Sequence, residues 1–553
     1  LWRLLHDAGL WSRADPAERA ELFADEPGVA RGIIADVETE LDSLDVLVRD
    51  PHPDAGPLIA RMCHRVMVWA ESRGLPCTAL AFAQAAALAD PEDAGHAYEV
   101  GRLARKRGEF ARAEAWYRRG AVLGNRTGDK EHQARSYGGL ANLYSLRGNF
   151  AAARQLTEKM ERLARRHALR EAWGGSCHGL AVLDFEAGDV QQGIRHARKA
   201  IRVLGADHPW VPSIVHDMAV GLMDRCGAFA EALDVLRTLL PHLDGPFERL
   251  VAQANLARAA GATGQSRLFD ALWTDVWARV SEGVGQGYTS ALIALGRGAC
   301  SLRRWDLARE AAERALRVAE AQKEGKAIHL AEALLASIPG EQWVEAQAPA
   351  VPTPDESVLR FASDLVGVLR SRPWVVDGLL EALAAVIDAP DDPTRAYALG
   401  RALRAEADYE RAEAWFGHAM RIAREVGDAR TVAMCLGSLG NLHAMRGDLA
   451  LALDFHQRHQ EFARHEALAE MEGYALVDLC ALSFAMDRGE DGLAYAAAAL
   501  PILPPGHPAL PRLGHDVAVY LMEARGDYEN ALLLFRSLER GELAPPDRLF
   551  LEA

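Results

Sequence analysis

A glycine returns along this chain at almost fixed intervals, each time between two stretches whose apolar residues repeat with helical spacing. Gly108 in RKRGEFARAEAWY, Gly148 in SLRGNFAAARQ, Gly188 in FEAGDVQQG, Gly227 in DRCGAFAEALDVL and Gly264 in GATGQSRLFDAL mark the turns, and a degenerate one falls at Arg303-Arg304-Trp305. Reversing the chain between two antiparallel helices often requires positive φ at the helix end, which glycine adopts without a steric penalty. A period of about 40 residues therefore predicts a stack of helix hairpins, in which each unit buries its apolar face only against its neighbours. Ala113, Ala153 and Ala232 follow their glycines at one common spacing, where a crossing helix leaves room only for a small side chain. Trp116 and Tyr117 on one second helix, with Tyr144 on the next first helix, are expected to form the core between units.

Composition agrees with such a stack. The chain has 553 residues, too many for one ordinary core, and half of them are apolar. Alternating Val/Ile runs are scarce, so the expected fold class is all-α, an α-solenoid of stacked hairpins. The 62 basic residues against 78 acidic leave a net charge of −16, which repels a phosphate backbone, and no nucleic-acid partner is expected. Arg162, Arg165 and Arg166 are spaced as one solvated helix face. Cys63, Cys77, Cys177, Cys226, Cys300, Cys435 and Cys480 are scattered, without a CxxC or metal-ligand spacing to histidine. No metal and no cofactor are expected, and a reducing, cytoplasmic setting suits these thiols. The most apolar tracts, 374–387 and 495–503, are broken by Asp377, Glu381 and Pro501, so no membrane span is expected.

The units LANLYSLRGNFAAARQL and LGNLHAMRGDLALALDF resemble tetratricopeptide repeats in their longer form, similar to those of peptide-binding adaptors such as the Pins family and kinesin light chains. The resemblance spans 57–338 and 356–553. It implies a right-handed superhelix with a concave groove for a protein or peptide partner, and no catalysis.

The block 57–250 also recurs without gaps at a constant offset of 299: Gly148 maps to Gly447, Gly227 to Gly526 and Pro91 to Pro390, and RAEAW at 112–116 returns at 411–415. Ten of 26 positions are identical between 211–236 and 510–535, so both copies are expected to share one backbone. The expected organisation is an N-terminal helical cap over 1–56, opened by Asp15 and Pro16, then a first array over 57–338. A proline-rich linker over 339–356 leads to a second array over 357–553 that lacks the last two units of the first. Its final helix, with Ala531, Leu532, Leu534, Phe535 and Leu538, is expected to leave an apolar face open to self-association.

In the register set by the turns, the first helix of each pair faces the groove, and Asn142 and its copy Asn441 lie six residues before a turn glycine. The resemblance implies that this asparagine clamps the backbone of an extended ligand, since one carboxamide offers both donor and acceptor. The other reading is a bond to a neighbouring helix. Arg102 and Arg105, their copies Arg401 and Arg404, and Arg135 and His178 share the inward stripe and suit an acidic peptide or a carboxyl terminus, or else ion pairs with nearby glutamates. Asp217 and its copy Asp516 are expected to face the groove. A metal reading of His216-Asp217 and His515-Asp516 fails, because successive helical side chains diverge by about 100° and His178 becomes Val477. His216 is then expected between helices. Cys177-His178 cannot form a thiol–imidazole pair on a helix, and no P-loop, GxGxxG, HExxH or GxSxG occurs. The expected function is an interaction scaffold. The alternative is the ligand-sensing module of a bacterial signalling or transcriptional regulator whose effector lies outside this chain.

Overall fold

The computed structural model describes residues 55–338 and 354–539, with breaks at 74, 244, 281–286, 323 and 373–377, together with 40, 43, 44, 46 and 47. The expected cap over 1–56 and linker over 339–356 lie almost wholly outside the described residues. Of the former, Leu44 is buried beside Ala55, Ile59 and Cys63.

Among the described residues the structure is α-helical, without strands. The helices are α1 (Gly56–Ser72), α2 (Pro76–Ala89), α3 (Ala94–Lys106), α4 (Phe110–Thr127), α5 (Lys130–Leu146), α6 (Phe150–Arg166), α7 (Arg170–Ala187), α8 (Val190–Leu204), α9 (Val211–Cys226), α10 (Phe229–Leu239), α11 (Pro246–Ala262), α12 (Ser266–Val280), α13 (Tyr288–Ser301), α14 (Trp305–Gln322) and α15 (Gly325–Ser337). There follow α16 (Glu356–Arg370), α17 (Gly378–Asp388), α18 (Pro393–Ala405), α19 (Tyr409–Val426), α20 (Ala429–Arg446), α21 (Leu449–His465), α22 (Ala469–Ala485), α23 (Gly489–Ala499), α24 (Leu510–Glu523) and α25 (Tyr528–Glu539). Helices α3, α4 and α6 reappear as α18, α19 and α21 at an offset of 299, end for end.

The turn chemistry explains the hairpins. Gly148 has φ 78° and Gly188 φ 83°. The residue after each caps the next helix: Asn149 Oδ1 accepts from the Ala152 N–H at 3.2 Å and Asp189 Oδ1 from the Gln192 N–H at 3.1 Å. Such a cap contributes about 1 kcal/mol. The left-handed positions of the first copy recur in the second even where glycine does not. Gly108 becomes Ala407 (φ 60°), Gly188 becomes Asp487 (φ 60°), and Ala168 (φ 54°) becomes Ala467 (φ 55°). The degenerate turn holds Arg303 at φ 59°.

Packing follows the small-residue register. Ala113, Ala153 and Ala232 are buried. Tyr117 is buried in a slot between Gly101 and Gly139, where added Cβ atoms would stand 2.7 and 2.4 Å from its ring. Its copy Phe416 sits against Gly400 in the same way, at 2.8 Å. Tyr144 departs from the expected core role. It is half-buried, its hydroxyl taking a bond from Arg118 at 3.0 Å and lying 3.2 Å from Glu114 Oε1, because a phenol beside charged neighbours gains more from its polar tip than from full burial.

The chain divides into two units, Leu1–Phe269 with Val280–Val375 and Asp270–Arg279 with Val376–Ala553. In the first, α1 to α10 pair as successive hairpins and α13 pairs with α14. Helix α16, the counterpart of α1, packs on α9 and α10, and its Asp364 meets Arg198 Nη2 of α8 at 2.7 Å. The last helix of the first array does not trail away: α15 touches α5, and a Cβ on Gly325 would lie 3.3 Å from the Arg147 carbonyl oxygen. The expected open trough is thereby bounded, because the small rotation at each hairpin accumulates along the stack.

In the second unit, α18 to α25 repeat the hairpins. The apolar face expected on α25 is split. Ala531 and Leu534 are buried against Leu510, Leu513 and Val517, whereas Tyr528, Leu532 and Leu533 are exposed. The side chain of Leu538 lies outside the described residues.

Candidate functional site

The first helices of the hairpins, α3, α5, α7, α9, α11 and α13, together with α15, line one concave groove in the first unit. Arg105, Asn142, Ser213, Asp217, Asn255, Ile293 and Leu330 border a space of about 540 Å³. It continues past Arg135, Gly138, Gly139, His178 and Trp210 into a further 290 Å³ or so. Asn142 belongs to both parts; it is exposed, and no described residue holds its carboxamide.

Four of the other residues singled out in the first copy, Arg105, Arg135, His178 and Asp217, line the same groove. Arg102 does not. Its guanidinium donates two bonds of 2.6 Å to Glu71 and one of 2.7 Å to Glu99, which leaves it structural. Arg135 reaches the groove wall already bound to Glu131 at 2.8 Å and Glu171 at 2.6 Å.

Asp217 is the polar centre. His178 Nε2 lies 3.0 Å from one carboxylate oxygen and His216 Nδ1 3.0 Å from the other, while Asn255 Nδ2 approaches His216 Nε2 at 3.2 Å. Burial would raise the Asp217 carboxyl, but the two imidazole hydrogen bonds and their charges outweigh it and hold the group well below the usual carboxylate range. The side chain is still 41% accessible, since it stands in the floor of a bowl that is open to water yet walled by protein. His216 was expected between helices. It borders the groove with its ring held between Asp217 and Asn255 of the neighbouring helix α11. Further along, Asp224 takes Arg258 at 2.6 Å and Arg297 at 2.9 Å. Burial opposes ionisation there too, and the two guanidinium charges keep its pKa far below normal.

In the second unit Arg401, Arg404 and Asn441 gather, with Met445 and Arg512, around a wide depression of about 810 Å³. Arg401 and Arg404 have no ion pair among the described residues; the positions equivalent to Glu71 and Glu99 hold Arg370 and Ala398. Asn441 hydrogen-bonds Asp478. Asp516 stands apart from the depression, with His515 Nδ1 at 3.2 Å and Arg512 Nε at 3.8 Å.

Several residues now prominent were missed by sequence reasoning. Asn255, Arg258, Arg297 and Glu324 lie beyond the duplicated block and had no copy to mark them. His456, His459 and Asp478 did carry a signal, because they replace Thr157, Met160 and Gly179. Among the described residues one trio, Asp90, Asp93 and His96, is close enough to share a cation; Asp93 there accepts from the His96 N–H at 2.8 Å as a helix cap, which accounts for the arrangement. All seven cysteines are free thiols, and burial pushes Cys177 up to about 11 and Cys63 to about 12, away from reactivity. No helix among the described residues is long and apolar enough to cross a membrane.

Comparison with known proteins adds a family for one stretch of the chain. The tetratricopeptide repeat family model matches residues 393–465. No curated protein matches the chain. Among solved structures, yeast Tom70 aligns at 11% identity over 95% of this chain and 100% of its own, with a TM-score of 0.21. A chain of the structure of Naa15/Naa10 bound to HypK-THB aligns at 15% identity over 97% and 99%, with a TM-score of 0.19. At such TM-scores neither likeness bears on fold or function. The matched stretch begins at α18 and ends with α21, and the same four helices stand 299 residues earlier as α3 to α6. Residues 393–465 of this chain are tetratricopeptide repeats.

Proposed function

We propose that this protein is a non-catalytic, cytoplasmic scaffold that grips an extended segment of another protein in the groove of its first unit. The observation that carries this reading is Asn142: an exposed carboxamide with no partner among the described residues, at the junction of both parts of the groove. A peptide unit presents one donor and one acceptor, and this side chain complements both without reading the ligand's side chain. Arg105, His178 and Asp217 flank it with fixed polarity. The depression of the second unit, with Arg401 and Arg404 unneutralised, suits acidic side chains or a terminal carboxylate.

The test is peptide display on the purified protein. Binders selected on it should lose about fivefold in affinity on Asn142→Ala, near 1 kcal/mol for one net hydrogen bond, with helical content and melting unchanged. Unaltered affinity would remove Asn142 from the site, and binders that map away from all the helices lining the groove, α3, α5, α7, α9, α11, α13 and α15, would remove the groove.

A further inference from the structure

The groove of the first unit holds a buried carboxylate with no ion pair among the described residues. Glu324, immediately before α15, is only 4% exposed and borders the groove, and its Oε1 has no hydrogen-bond partner among the described residues. The cations nearby are engaged elsewhere. Arg258 and Arg297 converge on Asp224, and Lys326, two residues on, pairs with Glu186. Of the other charged groups at the groove, Arg105 stands on α3, Asp217 is bonded to His178 and His216, and Glu248 is acidic like Glu324. A side chain usually enters a protein wall with its counter-charge, since an unpaired buried charge is costly.

The surroundings specify what would complete it. Gly287 opens α13 pressed so closely on α11 that an added Cβ would stand 2.3 Å from the Phe247 ring and 2.8 Å from Val251. Thr289, two residues later, is the neighbour whose hydroxyl faces Glu324. The carboxylate shares its groove with the apolar side chains of Phe247, Val251, Ile293 and Leu330. A long aliphatic stem with a cationic tip fits apolar walls that end in a carboxylate.

Resting on the peptide-groove reading above, we infer that Glu324 forms a cation subsite, in which the ammonium or guanidinium group of a basic residue in the bound peptide pairs with its free oxygen. Burial pushes the Glu324 carboxyl up to about 7, and the Thr289 hydroxyl offsets this only in part. The group is therefore poised between its two forms near neutral pH, and an arriving cation selects the ionised one. Binding should then release a proton and strengthen as pH rises.

The probe is a set of N-acetylated hexapeptide libraries with one position fixed as Lys, Arg, norleucine or Glu, measured against the full chain. Wild type should favour Lys or Arg over norleucine by tenfold or more. The Lys library should gain about tenfold in affinity from pH 6 to pH 8, as the ionised fraction of a group titrating near 7 rises. In Glu324→Gln, which keeps the side-chain shape, both the preference and the pH dependence should vanish while the norleucine library still binds. Norleucine binding as well as lysine to wild type would overturn the subsite, as would a preference that survives Glu324→Gln. A matched library with free N-termini separates a side-chain ammonium from a terminal one: gain on unblocking, without a fixed Lys, assigns the cation to the chain terminus. No binding by any library would overturn the peptide groove itself, and the subsite with it.

Discussion

The pentapeptide Arg-Ala-Glu-Ala-Trp stands twice in this chain, at the same place in the same helix of each copy, and meets water in one and protein in the other. In α4, Arg112 pairs with Glu109 at 2.5 Å while about half exposed, and Trp116 is half-buried with Arg119 over its ring. In α19, Trp415 is fully buried and Arg411 nearly so, around the fully buried Asp275 carried by 270–279 in the same unit. Asp275 accepts from Arg411 Nη2 at 2.8 Å, from Trp415 Nε1 at 2.9 Å and from Arg279 Nη2 at 2.7 Å. Burial would raise its carboxyl, but the Arg411 and Arg279 charges and the indole bond hold it far below the ordinary range. Identical local sequence thus fixes the helix and its register but not its environment; a single carboxylate from outside the repeat decides that.

The sharpest way to break this comparison is to remove the carboxylate. Asp275→Ala leaves the Trp415 indole N–H without its acceptor and strips a carboxylate from two buried guanidinium groups, Arg279 and Arg411, the second keeping only its 3.0 Å bond to Asp408, which should cost about 3–5 kcal/mol. Glu109→Ala, which removes the partner of Arg112 in the water-facing copy, should cost no more than about 0.5 kcal/mol. Hydrogen exchange of the α19 and α4 backbones reads each loss locally; similar losses at both sites would show that the burial of Arg411 and Trp415 carries no special weight.

The grooves differ in the same instructive way. In the first unit Thr157, Met160 and Gly179 border open space, and Thr157 bonds back to the Ala153 carbonyl at 2.9 Å. Their copies His456, His459 and Asp478 fill it. Added Cβ atoms on Gly440 and Gly437 would stand 2.6 Å from His456 Nε2 and 2.9 Å from His459 Nδ1. Neither nitrogen of His459 has a hydrogen-bond partner among the described residues. Burial pushes both histidines down to about 4. Arg512 adds to the effect on His456, whereas on His459 the Asp478 charge opposes it and His456 reinforces it.

Because these folded values lie below an unfolded value near 6.5, the unfolded chain binds the extra protons between about pH 6.5 and 4. Stability is therefore complete above that window and falls as pH drops through it, by about 2–3 kcal/mol per histidine at pH 4.5. Replacing each by the residue of the other copy, His456→Thr with His459→Met, should flatten the fall. Thermal melts at pH 7 and 4.5 test this, and an undiminished acid loss in the double variant would sever it from these rings.

Much of this architecture was legible because it is periodic. Turn glycines, the alanines after them and the 299-residue offset each restate one hairpin, so local sequence is enough to place helices and to put Asn142, His178 and Asp217 on inward faces. What stayed hidden depends on distant parts of the chain. Arg102 was read as a groove residue, but Glu71, which claims it, comes from another hairpin. Asn255 and Glu324 reach the groove through the accumulated curvature that brings α15 to α5, which no single repeat encodes. The His216–Asp217 bond turns on side-chain rotamers, about which spacing is silent.

The smallest effect probes the turns, where the copies keep one backbone with different residues. Gly188, at φ 83° with open space around its Cα, is matched by Asp487 at φ 60°, and Gly108 at φ 77° by Ala407 at φ 60°. A side chain in this left-handed region costs about 1–2 kcal/mol, and glycine gives back part of that through its greater freedom when unfolded. Ala407→Gly should therefore stabilise the second unit by about 0.5–1 kcal/mol, and Gly188→Ala should destabilise the first by about 1 kcal/mol through backbone strain alone, since no atom stands near enough to clash. Hydrogen exchange in α18 and α7 measures both changes. Opposite signs support a shared turn geometry held against the residue's preference in the second copy, whereas a loss on Ala407→Gly would mean that alanine contributes contacts there which outweigh its strain.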